Sequence, residues 1–384
     1  MGVTAVRPAA DQNRVGASAT SAGGVRYSRV GELPGGTPRP DEDVRESTGT
    51  ASQGGRRYLT AWLLGLVALA VLCVLSCAVG SRSIPIGDVL TALADHDDSR
   101  ESIIVWELRV PRTLLAVVCG AALAVAGVVM QAITRNPLAE PGILGVNSGA
   151  SIAVVLAIAA LGVATPAGYM WFAFVGAGVA AVVVFVLGTS RTGPTSHTRL
   201  VLAGIALSTS LSSFIGIITM FDSSTFDSYR FWVVGSLENR TMEVALWVTP
   251  FVVVGLGVAL VLGNHFNALA LGDEMGAALG LTVARVRVLG FGVVVILCGA
   301  ATAAAGPIAF VGLVVPHAVR LVAGVDHCRN LALSLVAGPI LLLASDIVGR
   351  LVVRPAELEV GIVTAFIGAP VLLLLILRAR TGRS

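Results

Sequence analysis

The chain has 384 residues, 55% of them hydrophobic and only 13% Asp, Glu, Lys or Arg, with a formal net charge of +3 and a mean hydropathy of +0.86. An ordinary soluble domain carries about 25% charged residues, whereas here the apolar surplus falls in repeated runs of the ~20 residues that a helix needs to cross a bilayer. That excludes a soluble globular domain, and so small a net charge gives no reason to expect a nucleic-acid partner.

Residues 1–57 are rich in Gly, Ser, Thr, Pro, Ala and Arg and show no periodic apolar pattern. They read as a disordered tail. No apolar core follows within the first ~30 residues, so a signal peptide is not expected. Residues 58–384 form the transmembrane domain. About ten spans are predicted there: Tyr58–Val79, Arg112–Thr134, Ile143–Val163, Tyr169–Leu187, Leu200–Met220, Val244–Leu262, Val288–Ala305, Ile308–Val322, Leu331–Val348 and Val360–Leu377. The eighth is short and reads as partly re-entrant. The fold class is therefore an all-α polytopic membrane protein.

The stretch Arg109–Ala150 organises this arrangement. It runs from Arg-Val-Pro-Arg through a small-residue helix with Gly120, Ala121, Ala122, Ala124, Ala126 and Gly127. It breaks at Asn136-Pro137 and restarts at Ile143, with Gly145 and Gly149 in a GxxxG step. Lipid gives helices little hydrophobic reason to associate, so such residues mark close backbone packing inside a bundle. The segment Cys119–Gly127, CGAALAVAG, recurs as CGAATAAAG at Cys298–Gly306, with seven identities in nine. The copies lie five spans apart and so run in opposite directions, the pattern of an inverted internal repeat; chance similarity of two Ala/Gly-rich helices is the alternative.

Arginines set the orientation. Arg56 and Arg57 precede the first span, and Arg378, Arg380 and Arg383 follow the last, so both termini are expected in the cytoplasm. Arg109, Arg112, Arg230, Arg240 and Arg350 then lie outside, more external arginine than the rule favours, which suggests that these residues have a role. Asp346 and Arg350, at i and i+4, can pair, and a membrane carboxylate needs such a partner. The outer loop Phe221–Thr241 carries Phe226, Tyr229, Phe231 and Trp232, which fit either headgroup anchors or a short helix at a pore mouth. The inner loop Gly263–Arg287 is longer than a connection needs. Its Gly272, Asp273, Glu274, Gly276, Ala277 and Gly280 fit two short helices with an acidic start, as a docking element or an incidental amphipathic loop.

The chain contains no lysine. A P-loop sets its lysine on the nucleotide phosphates, so an ATPase driving this protein must be another polypeptide. Cys73, Cys77, Cys119, Cys298 and Cys328 make no CxxC pair, and the five histidines are scattered, so no metal site is expected. His317, beside Pro316, reads as a structural residue ahead of a titrating one. Neither paired carboxylates nor a nucleophile set marks an enzyme active site.

Three motifs carry a resemblance: RVPR…GAALA…Q…NPLAEPGILG…GA over Arg109–Ala150, GPIAFVGLVVPH…R over Gly306–Arg320, and DIVGR at Asp346–Arg350 followed by EVGIVTAFIGAP over Glu359–Pro370. With the inner loop they resemble the FecCD family, permease subunits of type II ABC importers for iron-siderophores, haem and vitamin B12, from about Tyr58 to the C-terminus. The N-terminal tail departs from the usual family length.

The resemblance implies ten helices in the type II importer fold, in the cytoplasmic membrane. It implies a second permease subunit (identical or a paralogue), two separate ATPase subunits that bind the ATP, and an extracytoplasmic substrate-binding protein; this chain itself would hold no cofactor. Arg109, Arg112 and Arg350 match the outer arginines that receive glutamates of the binding protein. The Gly263–Arg287 loop matches the helices that couple to the ATPase. Asn136 and Leu138 match inner gate positions, and His197 and Thr198 fall where the other gate loop usually has small hydroxyl residues, a pattern from which His197 departs. The pore would form between two permeases, lined largely by span five. The implied cargo is a metal chelate, an iron-siderophore first, with haem and vitamin B12 open. The competing classes are an ion-coupled secondary transporter, which the repeat alone would fit, and a membrane scaffold without transport.

Overall fold

The computed structural model describes residues 40–80, 84–95, 99–163, 165–189, 196–354 and 356–381, with side chains from residue 55 onward apart from 189, 196–198, 375–376 and 378–381. The expected tail lies largely outside the described residues. Helix α1 (Pro40–Ala78) nevertheless begins ahead of the predicted Tyr58, and its apolar part is Gly55–Ala78.

Each predicted span is a helix. Seven are long and apolar enough to cross a membrane: α1, α4 (Val110–Thr134), α6 (Pro166–Thr189), α7 (Ser196–Phe221), α9 (Met242–Val261), α12 (Val283–Ala305) and α14 (His327–Val352). Three shorter apolar helices complete the ten among the described residues: α5 (Val146–Leu161), α13 (Val311–Ala323) and α15 (Val360–Thr381). The connections hold further short helices: α2 (Ile86–Ala94) and α3 (Arg100–Ile103) before α4, α8 (Ser223–Val233), and the pair α10 (Gly263–Ala270) and α11 (Asp273–Ala278). Thus the aromatic loop after span five does form a short helix, and the long loop after span six forms two. A π-helical turn, Ile104–Arg109, joins α3 to α4 in one continuous rod.

Helix α4 is the axis, with 83% of its most apolar window buried, against 11% for α7 at the periphery. Its small residues let two helices approach to backbone contact. A Cβ on Gly120 would lie 2.7 Å from the Pro339 nitrogen of α14, and one on Gly127 would lie 1.9 Å from the Gly312 oxygen of α13. The two repeat copies meet face to face: Cys119 Sγ lies 4.0 Å from the Ala301 oxygen of α12. Further along, Ile133 packs at Gly290, so α4 and α12 run antiparallel. The GxxxG step works likewise, since Gly149 of α5 and Gly176 of α6 touch reciprocally at their backbones.

Helix α13 starts at Val311, and its second residue, Gly312, packs against the Leu123 carbonyl in the middle of α4. It therefore crosses only part of the bundle. The break before it, Gly306–Phe310, is held from the other repeat: Glu140 Oε1 accepts a hydrogen bond from the Phe310 N–H at 2.8 Å. Phe310 has φ 69°, a conformation that costs a non-glycine residue energy unless its surroundings fix it. Irregular backbone at membrane depth is tolerated when protein satisfies it in this way.

These contacts predict that Gly120→Val or Gly127→Val prevents normal assembly, because overpacking against rigid backbone costs about 1–3 kcal/mol or more. Gly178→Ala, where a Cβ meets nothing within 4 Å, should assemble normally. Yield and thermal denaturation of the detergent-solubilised proteins check both outcomes.

Candidate functional site

Two charged clusters occupy opposite ends of the α4–α14 pair. At one end Asp346 is fully buried and takes two guanidinium groups. Arg112 approaches Oδ1 through Nη2 at 2.8 Å and donates from Nη1 to Glu357 Oε2 at 2.6 Å. Arg350, one turn along α14, holds the other oxygen of Asp346. Its two Nη groups also reach the end of α1 and the residue after it: Nη1 donates to the Ser76 and Val79 carbonyls at 2.8 and 2.9 Å, and Nη2 to Ser76 Oγ at 3.0 Å. Arg109 donates to the Cys77 carbonyl. A helix leaves its last four carbonyls without partners and favours cations there, so Arg109 and Arg350 together cap α1.

The three arginines expected at one docking site are therefore brought together. Arg109 and Arg350 are nonetheless buried and Arg112 is largely covered. They border a polar cavity of about 460 Å³ that also presents Glu238, Arg240 and Glu357. An incoming carboxylate would enter this cavity or displace Glu357 from Arg112.

At the other end, α10 is seated by Gly263, Phe266 and Leu269, spaced to share one helix face. Gly272 (φ 109°) and Gly280 (φ 84°) bracket α11 in a backbone conformation that side chains resist. Asp273 accepts from Arg135 at 2.8 Å and Arg287 at 2.9 Å, which fastens α11 to the ends of α4 and α12. Gly276 is buried, while Glu274, Ala277 and Gly280 are exposed. Leu271, Met275 and Leu279, four residues apart, are also exposed and form an apolar edge.

Beside it, Asn136 accepts the Leu138 N–H at 3.0 Å. This Asx-type turn explains the Asn-Pro break and leaves Leu138 exposed. His197 and Thr198 fall in the first turn of α7, and their side chains lie outside the described residues. Asp326, at the start of α14, accepts from Asn267 Nδ2 of α10 at 3.0 Å and from the Cys328 N–H at 2.8 Å. Burial alone would raise the Asp326 carboxyl, but these hydrogen bonds and the neighbouring Arg329 hold it below the usual aspartate range.

Residues 68–378 match the FecCD transport family. The ferric enterobactin transport system permease protein FepD of Escherichia coli (strain K12) is 43% identical over 83% of this chain and 95% of its own length. The Fe(3+)-citrate import system permease protein YfmD of Bacillus subtilis (strain 168) is 40% identical over 86% and 98%, and the hemin transport system permease protein HmuU of Yersinia pestis is 38% identical over 73% and 85%. The chain belongs to the FecCD transport family. Among solved structures, one assigned to the metal-chelate type of ABC transporters, in an inward-facing conformation, aligns with a TM-score of 0.74 and 28% identity over 83% of this chain and 98% of that one. This FecCD-family chain is a multi-pass membrane protein with the fold of those permeases.

Sequence reasoning missed Glu357, Arg135, Arg287, Asn267 and Glu140 as partners. The Arg112–Glu357 pair spans 245 positions, and no local pattern announces it. Glu140 stood inside a recognised motif, and its carboxylate in an otherwise apolar stretch was the signal available.

Removing one partner of a buried ion pair costs about 3–5 kcal/mol. Arg112→Ala should therefore lower thermal stability strongly. Arg230→Ala breaks a pair whose two side chains are half exposed and should change stability by less than about 1 kcal/mol. Parallel melting curves in detergent compare the two.

Proposed function

We propose that this chain is the permease subunit of an ABC importer that moves a metal chelate, an iron-siderophore first, across the cytoplasmic membrane. The observation that carries this reading is the α10–α11 pair, whose exposed Leu271, Met275 and Leu279 stand in the loop fastened through Asp273 to α4 and α12. An exposed apolar edge on a rigidly held element is a surface for a protein partner. With no lysine in the chain, the ATP belongs to that partner, a separate pair of ATPase subunits; this chain holds neither catalytic residue nor cofactor.

The arginine cavity then faces outward and receives carboxylates of a substrate-binding protein, with Arg109 and Arg112 as its donors and Arg350 holding Asp346 in place. Both termini face the cytoplasm. Helix α7 supports a second permease subunit across the pathway: it exposes Thr209, Ser210, Ser212 and Ser213 at its middle, where lipid would favour apolar side chains. Asn136, Leu138, His197 and Thr198 sit at the inner end of that pathway. Iron would travel inside its chelator, so the chain needs no metal ligands of its own. The names of the relatives above, for ferric enterobactin and Fe(3+)-citrate, support an iron chelate; the 38% identical hemin permease keeps haem as the second reading.

In a strain lacking this protein, uptake of radiolabelled iron supplied as one siderophore should fall to background, while uptake from free salt continues. Undiminished uptake from every siderophore and from haem would contradict the assignment. Deleting residues 273–280 should abolish the same uptake and leave membrane insertion unchanged, as read by fractionation and immunoblotting.

A further inference from the structure

Helices α4 and α14 are joined at three levels. At the arginine end, Arg112 of α4 holds Asp346 of α14 at 2.8 Å. At the waist the two backbones touch: a Cβ on Gly338 would lie 2.2 Å from the Gly120 oxygen and 2.6 Å from the Ala124 Cβ. At the coupling end neither helix holds the other directly, and each is gripped by the coupling loop. Arg135, the residue that ends α4, binds Asp273 of α11. The first turn of α14 binds Asn267 of α10 through four contacts: Nδ2 donates to Asp326 Oδ1 at 3.0 Å and to Cys328 Sγ at 3.8 Å, Oδ1 accepts the His327 N–H at 2.7 Å, and His327 Nδ1 lies 3.1 Å from the same oxygen. Gly263 seats the start of α10 against Cys328, where a Cβ would come within 2.8 Å of the sulfur.

A helix rises about 1.5 Å per residue; α14 loses one backbone donor at Pro339, and the backbone of α4 at Gly120 is packed against that same point, so a displacement imposed at His327 reaches Asp346 and Arg350 through the two helices together. We propose that the antiparallel α4–α14 pair is the rod that carries motion between the coupling loop and the arginine cavity, and that Asn267 is the positioning residue that fastens the loop to it. This deepens the importer reading and rests on it. The mechanical consequence is reciprocal: occupation of the arginine cavity biases the coupling loop by the same free energy with which the loop biases the cavity. Only a differential contact in two states can transmit such a bias, and the Asn267–Asp326 bond is the polar contact in this junction that a single substitution reverses in sign.

The test uses the complete importer, with its ATPases and binding protein, in lipid nanodiscs. Asn267→Asp sets a carboxylate against Asp326. Asp326→Asn, added to it, removes the like-charge contact and lets the amide introduced at position 326 donate to the carboxylate introduced at position 267; it gives up the Arg329 ion pair, and the Cys328 N–H loses the Oδ1 it shared with Asn267. Basal ATPase activity and thermal stability control for assembly. The stimulation of ATPase by loaded binding protein reads the coupling, a ratio that a merely structural role would not move. The N267D variant should keep basal activity and lose stimulation by about fivefold or more, the scale of a typical coupling free energy, and the N267D/D326N pair should recover it. If N267D fails to assemble, Asn267→Ser replaces it: its hydroxyl is too short to reach Asp326, and the same loss is expected.

Full stimulation in an assembled single variant would overturn the inference while leaving the importer reading intact. So would a loss that the paired variant does not repair. A wild-type complex whose ATPase ignores its binding protein would remove the reading and the inference with it.

Discussion

The structure depends on a buried carboxylate that cannot stand alone. Asp346 has no solvent exposure, and an ion in such surroundings must be paired. It is held by guanidinium groups from two directions, and each brings another element with it. Arg112 adds α4 and the Glu357 turn; Arg350 adds the carbonyl end of α1. Three stretches of the chain, around Ser76, Arg112 and Asp346 to Glu357, are thereby fixed at one end of the bundle. Such a cluster contributes less to stability than an apolar replacement often would. What it supplies is a fixed arrangement of charge beside the cavity that Arg109, Arg112 and Arg350 line.

The rest of the architecture uses the opposite means. Below the arginine cluster, α4 has almost no charge and relies on absent side chains: Gly120, Gly127 and their facing glycines Gly338 and Gly312 allow backbone contact. Such contacts transmit displacement well, since close-packed interiors are not continuously deformable. Polar groups return at the coupling end, where Asp273 and Asn267 grip the two axial helices from outside the membrane helices. Charged groups at both ends and glycine contacts between them join the two helices, and the broken α12–α13 segment is latched beside them by Glu140.

Much of this was legible in the sequence because the bilayer imposes length and polarity on each span. All ten spans were placed, with α13 short as expected, since a helix that stops half-way leaves too few apolar residues. The Asn136-Pro137 break and the two short helices α10 and α11 were marked by their own turn chemistry. The repeat at Cys119 and Cys298 survived because both copies press small residues against each other. The pairings were not legible. Nothing local shows that the Ser76, Cys77 and Val79 carbonyls at the end of α1 await Arg109 and Arg350. The helices α2 and α3 lack the length and hydropathy by which the spans were found, and the start of α1 at Pro40 precedes any apolar signal.

The central claim is that ATP on a separate subunit, and not an ion gradient, drives a chelate through this chain. The most direct measurement is accumulation of a radiolabelled ferric siderophore by proteoliposomes that contain this permease and its ATPases, with the binding protein added at the arginine face. The account predicts accumulation that requires both hydrolysable ATP at the coupling face and loaded binding protein, and that persists when ionophores collapse every gradient. Accumulation that continues without ATP and stops on addition of an ionophore would contradict it.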